Sequence, residues 1–202
     1  DEDQQSQVFQ LMQNNEHTLE FLTKLDDLFI ANLLKVEDID RIAKLIQNAS
    51  TNQQSYILAS LDDDQAKSVI NQLKFEEKEE IEEIMAYPED SAGALMATDV
   101  FTLYKNTTCR QALRTLQDHK NAEMVFYIYI TDDDNSLVGV ASLRALTTTH
   151  PETKLKEIMV KRVHKVRPET DQEEVAQLVA QYNYLAVPVV DSDNILLGIV
   201  TV

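Results

Sequence analysis

The sequence predicts a multidomain protein of the α plus α/β class, in which an N-terminal helical, solenoid-like bundle precedes a pair of short α/β repeats. Two observations lead to this prediction. The first 87 of the 202 residues contain neither glycine nor proline and are rich in Leu, Gln, Glu and Lys, which favours helices joined by short polar turns. The remaining residues contain an internal repeat that begins with a constant offset of 63 residues. We therefore expect two regions of different architecture.

Apolar residues recur at helical spacing in the N-terminal region, in short segments separated by polar intervals. Asp62 stands three residues before Gln65, so its carboxylate is placed to cap the start of one helix. The irregular spacing of the segments predicts a bundle of short helices rather than one long coiled coil. The apolar stripes comprise Leu19, Leu22, Leu25 and Leu28; Ile39, Ile42, Ala43 and Ile46; Tyr56, Ile57 and Ala59; Ala66, Val69, Ile70 and Leu73; and Ile81, Ile84 and Met85.

The C-terminal region is built from two copies of one pattern. Residues 96–103 correspond to residues 159–166, and each copy reads as a short strand, a helix, a strand, an acidic turn and a final strand. The Asp and Asn residues of the turns tolerate tight hairpin geometry. Gly139 and Gly198, which follow the turns, permit a close backbone approach. Copies of about 60 residues are too small to bury both faces alone, so we expect them to pack as a pair.

The charge balance restricts the classes of partner. Asp and Glu number 35 against 18 Lys and Arg, a net charge of −17, and residues 1–95 carry 21 acidic and 7 basic side chains. This excess argues against nucleic acid as a partner and favours cations. One cysteine, Cys109, and four scattered histidines exclude a disulfide framework and the usual zinc spacings. No catalytic triad or glycine-rich phosphate loop is present in the sequence, so we expect no enzymatic activity.

Several segments resemble a known family. The segments 139–142 and 198–201, which close the two copies, resemble those of a tandem pair of CBS domains, the β-α-β-β-α module named after cystathionine β-synthase. Residues 87–96, with the sequence YPEDSAGALM, are similar to the characteristic segment of MgtE-type magnesium transporters. Residues 127–130 and 170–176 also resemble that family. The resemblance covers essentially the whole chain.

The resemblance implies three parts: an acidic helical N domain at residues 1–95, a first CBS domain at 96–157, and a second at 158–202 that stops before its last helix. It implies a cytosolic Mg²⁺ sensor in which Mg²⁺, the expected cofactor, bridges acidic surfaces and favours the closed state of a pore. It further implies a homodimer formed through the CBS domains, a transmembrane pore domain downstream in the same chain, and a location at the cytoplasmic face of the cell membrane. The charge agrees, because a divalent cation with oxygen ligands relieves repulsion between acidic surfaces.

The second CBS helix carries the first candidate metal ligands. Asp171 and Glu173 match acidic positions that the family uses for Mg²⁺. Thr170 and Glu173 also form the pattern of a capping box, and carboxylates in a first helical turn are favoured without any metal. The sequence is therefore compatible with both a capping role and a metal-binding role for the carboxylates of this turn.

Four further positions are candidates by the same resemblance. Asn183 stands where the family often has an aspartate, and Ala180 offers a backbone carbonyl one turn earlier. Glu37 and Asp38 resemble an acidic helix start that faces the CBS pair. An ordinary N-terminal helix turn is the alternative for this last pair.

A nucleotide-sensing regulatory module is the alternative function, because CBS pairs commonly bind adenosine nucleotides. In such sites an aspartate, three residues after the Ser or Thr that ends the last strand, holds the ribose; after Ser142 this position is Ala145. Arg144 is placed to meet a phosphate, and Tyr127 or Tyr184 to stack on a base. A third alternative is an acidic scaffold in which the CBS pair serves only for dimerisation.

Overall fold

The computed structural model divides the chain into two compact units, Asp1–Glu89 and Asp90–Val202. The division lies a few residues before the boundary expected after residue 95. Among the described residues, no helix combines the length and apolar composition needed to cross a bilayer. The structure describes residues 9, 11–12, 15–22, 24–25, 27–47, 49, 51–118 and 127–201.

Short helices make up the described part of the first unit. Helix α1 packs on α3, α3 packs on α5, and α4 packs on α6, so that alternate helices are neighbours, which agrees with the predicted solenoid-like bundle. Their apolar faces form one core that includes Ile30, Leu34, Ile42 and Ile46. The helices are α1 (Asn15–Leu22), α2 (Asp27–Leu34), α3 (Ile39–Ile46), α4 (Thr51–Ala59), α5 (Asp63–Ile70) and α6 (Phe75–Met85).

One predicted stripe of the first unit is wrong. The stripe from Leu19 to Leu28 is divided between two helices, and Leu28 is 74% exposed. The chain turns between α1 and α2, so the helical phase of α1 does not continue, and α2 buries Ile30 and Leu34 instead. The predicted cap of α5 is confirmed, since Asp62 Oδ1 accepts a hydrogen bond of 2.9 Å from Gln65 N.

The second unit contains two small sheets with the same local plan. In the first, β1 pairs in parallel with β2, and β2 pairs antiparallel with β3. In the second, β4 pairs antiparallel with β5, and Val166 forms a parallel bridge to Val189 where the first copy has β1. The elements are α7 (Ala92–Leu95), β1 (Thr102–Tyr104), α8 (Cys109–Asp118), β2 (Tyr127–Thr131), β3 (Leu137–Ser142), α9 (Leu143–Thr148), α10 (Leu155–Ile158), α11 (Gln172–Tyr182), β4 (Ala186–Val190) and β5 (Leu196–Thr201).

The hairpin turns of both copies follow the prediction from their Asp and Asn residues. Asn135 and Asn194 adopt left-handed backbone conformations, with φ of 60° and 67°. In each turn an aspartate side chain accepts backbone hydrogen bonds, such as the 2.8 Å bond from Ile195 N to Asp191 Oδ1. The two turns also lie side by side, since the Ser136 hydroxyl donates to the Asp193 carbonyl.

The two copies exchange their first residues. Ala97 forms an antiparallel bridge to Ile199 of the second copy, and Val160 forms the equivalent bridge to Val140 of the first. The hairpin glycines accommodate this exchange: a Cβ atom at Gly198 would lie 2.7 Å from the Ala97 carbonyl oxygen. The predicted close approach at the glycines and the packing of the copies as a pair are therefore confirmed.

A second pair of equivalent backbone contacts between the copies extends the repeat back to residue 90. We call residues 90–93 the strap, because they bind the start of α11; residues 153–156 bind the start of α8 in the same way. Helix α7, which follows the strap, packs on α11 and β5, so residues 90–95 are part of the second unit. The equivalent bonds run from Gln172 N to Asp90 O (2.8 Å) and Cys109 N to Thr153 O (2.9 Å), from Ala92 N to Thr170 O (2.7 Å) and Leu155 N to Thr107 O (2.9 Å), and from Gly93 N to Pro168 O (2.8 Å) and Lys156 N to Lys105 O (3.0 Å).

Candidate functional site

The first turn of α11 carries two predicted metal ligands, and its cap differs from the prediction. Asp171, not Thr170, is the N-cap residue: its backbone is extended and its Oδ1 accepts a 2.7 Å hydrogen bond from Glu173 N. Thr170 is unavailable because its hydroxyl accepts a 3.0 Å hydrogen bond from Arg167 N in the preceding turn. The predicted capping box of Thr170 and Glu173 is therefore wrong, and the side chain of Glu173 remains exposed.

The first turn of α11 differs in charge from the equivalent turn of the first copy. At the equivalent turn of α8, Arg110 Nε forms a 2.8 Å ion pair with Glu152 Oε1. Glu173 stands 63 residues after Arg110, so the second copy has a carboxylate where the first has a guanidinium. Asp171, Glu173 and Glu174 are all exposed on this turn. The turn of the first copy thus contains a cationic side chain, that of Arg110, whereas the turn of the second copy presents carboxylates to the solvent.

The candidates at the other end of α11 lie far from these carboxylates. Asn183 caps the C-terminus in the left-handed conformation, with φ of 53°, and its N–H donates to the Val179 carbonyl. Ala180 is exposed one turn earlier. Because a helix rises about 1.5 Å per residue, this helix of 11 residues separates its two caps, Asp171 and Asn183, by roughly 18 Å. One ion cannot bind both ends.

The candidates of the first unit serve local helix structure. Glu37 Oε2 forms a 2.8 Å ion pair with Arg41 Nη1, and the Glu37 side chain is only 11% exposed. Asp38 caps α3 by accepting a 2.9 Å hydrogen bond from Asp40 N. An open cleft of about 400 Å³ is lined by Asp38, Asp40, Arg41 and Lys44. Two cationic side chains line this cleft beside the two carboxylates, which lowers its affinity for a metal cation.

The six predicted metal positions therefore occupy three separate places: the start of α11, its end, and the start of α3. Among the described residues, no group of three or more His, Cys, Asp or Glu side chains is assembled that could hold a metal ion. The turn of α11 has the donor set that best suits Mg²⁺, because this ion accepts one or two carboxylates and keeps several of its waters.

The nucleotide candidates are distributed over both copies. Arg144 is exposed in the first turn of α9, and Tyr127 is half-buried at the start of β2. Ser142 caps α9 by accepting a 3.1 Å hydrogen bond from Ala145 N. The Tyr184 hydroxyl lies 2.7 Å from His164 Nδ1, and its ring stacks on Tyr182, so this ring is already engaged.

Tyr129 is a buried residue that was not predicted from the sequence, and it lies among apolar residues of both copies. Tyr129 is 3% exposed, and its hydroxyl has no hydrogen-bond partner among the described residues. Burial raises the pKa of this hydroxyl well above its ordinary value, with a smaller contribution from Tyr127. No sequence pattern marks it, because Tyr129 follows the same alternation as the rest of the strand.

Family models match both units. The MgtE intracellular N domain matches residues 1–90, and the CBS domain matches residues 92–149 and 155–202. The chain is 44% identical over 128 residues to the magnesium transporter MgtE of Enterococcus faecalis, covering 63% of this chain and 28% of that protein. It is 35% identical over 166 residues to MgtE of Bacillus subtilis, covering 82% of this chain and 34% of that protein. The chain thus spans about a third or less of the length of these relatives.

Solved structures resemble the chain over its full length. The crystal structure of the cytosolic domain of the Mg²⁺ channel MgtE in complex with ATP has a TM-score of 0.91 and 32% identity, covering 100% of this chain and 82% of that chain. The soluble part of a magnesium transporter has a TM-score of 0.82 and 30% identity, covering 99% of this chain and 90% of that chain.

Proposed function

The chain belongs to the MgtE family, and on that premise we propose that it is the Mg²⁺-sensing and gating region of a magnesium transporter. The observation that carries the proposal is the exposed turn of α11, where Asp171 and Glu173 present carboxylates at the place where the first copy has Arg110. In this proposal a bound Mg²⁺ ion supplies the positive charge that Arg110 supplies in the first copy. Its binding bridges acidic surfaces and favours the closed state of a pore.

The distribution of charge supports a cation switch. Residues 1–89 carry 20 acidic and 7 basic side chains, and residues 90–202 carry 15 and 11, so both units are acidic. Acidic surfaces repel each other within about 10 Å at ordinary ionic strength. A hard divalent ion held by single carboxylates and water binds weakly enough to be released when its concentration falls.

The remaining parts of the assembly belong to the same proposal. The chain spans 28% and 34% of the two relatives compared above, so a pore-forming transmembrane domain is expected elsewhere in the full protein. We place this region at the cytoplasmic face of the cell membrane and expect a homodimer formed through the CBS copies. No step requires catalysis by the chain.

Small-angle scattering of the 202-residue chain against Mg²⁺ tests the proposal. Wild type should become more compact at millimolar Mg²⁺, and KCl at matched ionic strength should not reproduce the change. The Asp171→Asn, Glu173→Gln double variant removes two charges and keeps the cap, because asparagine caps as well as aspartate. Its midpoint should rise by about tenfold, the loss of roughly 1.4 kcal/mol of binding.

The matched control is Asp134→Asn with Asp193→Asn, which removes two exposed carboxylates, one from each hairpin turn. The control should keep the wild-type midpoint. An unchanged radius of gyration in wild type, with Mg²⁺ saturating or chelated, would contradict the proposal. An equal shift in both double variants would reduce it to a general charge effect.

Nucleotide sensing is the second candidate, because the relative with a TM-score of 0.91 was solved with ATP. The exposed Arg144 and the half-buried Tyr127 supply a cation and an aromatic face in the first copy, whereas Ala145 lacks a carboxylate for a ribose. Calorimetric titration with ATP distinguishes the candidates. Binding that is lost in Arg144→Ala, together with ATP-dependent compaction, would favour nucleotide sensing.

A further inference from the structure

The strap of residues 90–93 has one bond that its counterpart in the first copy does not repeat. Gln172 Nε2 donates a 2.8 Å hydrogen bond to Asp90 Oδ1, in addition to the backbone bond from Gln172 N to Asp90 O. The equivalent pair in the other exchange is Cys109 and Thr153, and Cys109 is fully buried. The strap is therefore joined to α11 by a side-chain bond whose chemistry is specific to this copy.

This bond lies at the centre of the carboxylate turn. Gln172 stands between Asp171 and Glu173, and Ser91 forms an antiparallel bridge to Asp171. Ser91 and Ala92 are buried, whereas Asp90 is exposed beside them. Consequently Asp90 contacts the residue that separates the two carboxylates, and the backbone of the strap holds residues that precede it, through the bonds from Ala92 N to Thr170 O and from Gly93 N to Pro168 O.

We propose that Asp90 is a positioning residue that couples the strap to the carboxylate turn of α11. By holding Gln172 through both its carbonyl and its carboxylate, Asp90 fixes the backbone from which Asp171 and Glu173 project. Ordering of the turn then favours cation binding, and a bound cation stabilises the strap to the same degree, because coupling between two sites is reciprocal. The cation dependence rests on the proposed function, but the coupling of strap and turn does not.

Charge and hydrogen bonding at Asp90 make opposite predictions for one variant. Asp90→Asn keeps an oxygen that accepts from Gln172 Nε2 and removes the negative charge, whereas Asp90→Ala removes both. If Asp90 acts by position, the asparagine variant behaves as wild type. If it acts only as one more acidic group near the turn, the two variants behave alike.

Hydrogen exchange of individual amides, measured by NMR on the 202-residue chain, tests the proposal. The informative amides are those of Ala92 and Gln172, whose intrinsic exchange rates do not depend on the residue at position 90. In Asp90→Ala without Mg²⁺ they should exchange roughly three- to tenfold faster, and in Asp90→Asn within about twofold of wild type. The amides of Cys109 and Leu155 form the equivalent backbone bonds between residues 153–156 and the start of α8. They are the internal control, and their exchange rates should not change.

A second variant keeps the test decisive. Gln172→Ala removes the donor from the other side, in a residue type that favours helix, and should produce the same acceleration at Ala92, whose intrinsic exchange rate this substitution leaves unchanged. Acceleration of all four amides in Asp90→Ala, without an effect at Ala92 in Gln172→Ala, would overturn the proposal, as would unchanged exchange at Ala92 in both variants.

Measuring the same amide exchange with and without Mg²⁺ distinguishes failure of this proposal from failure of the proposed function. In wild type, saturating Mg²⁺ should slow exchange at Ala92 and Gln172, and Asp90→Ala should raise the midpoint about threefold or more. If Mg²⁺ slows no amide in wild type while Asp90→Ala still loosens the strap, the cation role is wrong and the coupling stands. If Mg²⁺ acts equally in wild type and Asp90→Ala, the coupling is wrong and the cation role stands.

Discussion

Gly139 and Gly198 occupy equivalent positions in the two hairpins, and a methyl group would meet a methionine side chain at each, Met159 at Gly139 and Met96 at Gly198, but only at Gly198 would it also meet a backbone carbonyl. At Gly198 a Cβ atom would lie 2.7 Å from the Ala97 carbonyl oxygen, and at Gly139 the nearest atom is Met159 Sδ at 2.6 Å. A methionine side chain can change rotamer, whereas the Ala97 carbonyl belongs to a backbone bridge with Ile199. We expect Gly198→Ala to lower the free energy of unfolding by about 2–3 kcal/mol, and Gly139→Ala by about 1 kcal/mol.

Urea unfolding followed by tyrosine fluorescence measures this difference. Five of the seven tyrosines lie in residues 90–202, so the signal reports mainly on the second unit. Because the two variants add the same methyl group, each is the control for the other. Equal destabilisation would show that the methionine cannot yield, and that the exchanged segments pack with equal rigidity.

Tyr129 is the second residue with a testable cost. Its hydroxyl is buried without a hydrogen-bond partner among the described residues, and such a group opposes folding by about 1–3 kcal/mol. Tyr129→Phe keeps the ring in the apolar contact between the copies and removes the buried hydroxyl. We expect the urea midpoint to rise, with a gain of about 1 kcal/mol.

Tyr127→Phe is the matched control, because Tyr127 lies two residues earlier on the same strand and is only half-buried. It should change stability little. A lower midpoint in Tyr129→Phe would mean that the hydroxyl has a favourable interaction in solution.

Helix α5 allows a test of capping at the scale of an element. Asp62 Oδ1 accepts from Gln65 N, and the first turn also carries Asp63 and Asp64, which are favoured near a helix N-terminus. Asp62→Ala removes the cap and should lower the stability of the first unit by about 1 kcal/mol, whereas Asp62→Asn should be nearly neutral. Circular dichroism at a helix-sensitive wavelength during urea unfolding measures both.

Two outcomes distinguish capping from charge in that experiment. Asp63→Ala removes a neighbouring carboxylate without removing the cap, so it should cost less than Asp62→Ala. If Asp62→Asn were as destabilising as Asp62→Ala, the negative charge rather than the hydrogen bond would stabilise the start of α5.

The elements predicted from sequence are those marked by side-chain patterns. The helices of the first unit other than α2, the hairpins and the pairing of the copies follow from apolar spacing, Asp- and Asn-rich turns and glycine positions. The strap was not predicted. Its sequence, DSAG at residues 90–93, shares little with TKLK at 153–156, because its function in the fold depends on backbone N–H and C=O groups that every residue has.

In the candidate site, too, some features were predicted from side-chain patterns and others depend on contacts that the sequence does not show. Sequence placed Asp171 and Glu173 at the start of α11, which the structure bears out. The predicted cap at Thr170 was wrong, because Asp171 is an equally good capping residue and the choice depends on the bond from Arg167 N to the Thr170 hydroxyl. The separation of Asn183 from Asp171 by the whole helix follows from geometry rather than from composition.

At the scale of the whole molecule, the two copies are alike in backbone and different in charge. Their exchanged segments, bridges and hairpins correspond, whereas the first turns of α8 and α11 carry an arginine and a glutamate at equivalent positions. In the proposed function, this symmetric frame with one asymmetric turn restricts the response to a cation to one copy. This asymmetry, more than the total charge, is why we assign sensing to α11.

The extent of the second unit can be tested by comparing two fragments. The fragment 96–202 begins at the boundary expected from sequence, and the fragment 90–202 includes the strap and α7. The shorter fragment loses three backbone hydrogen bonds to the α11 region and the buried Ser91 and Ala92. At about 1 kcal/mol for each backbone hydrogen bond, its free energy of unfolding should be lower by about 3 kcal/mol.

Both fragments contain the same five tyrosines, so urea unfolding by tyrosine fluorescence compares them directly. Asp90→Ala in the longer fragment is the control, because it removes one side-chain bond and leaves the backbone bonds of the strap in place. It should lie between the two, nearer to the longer fragment. If residues 90–95 were instead part of the first unit, the two fragments would unfold at the same urea concentration, and the exchange that relates the two copies would end at Ala97.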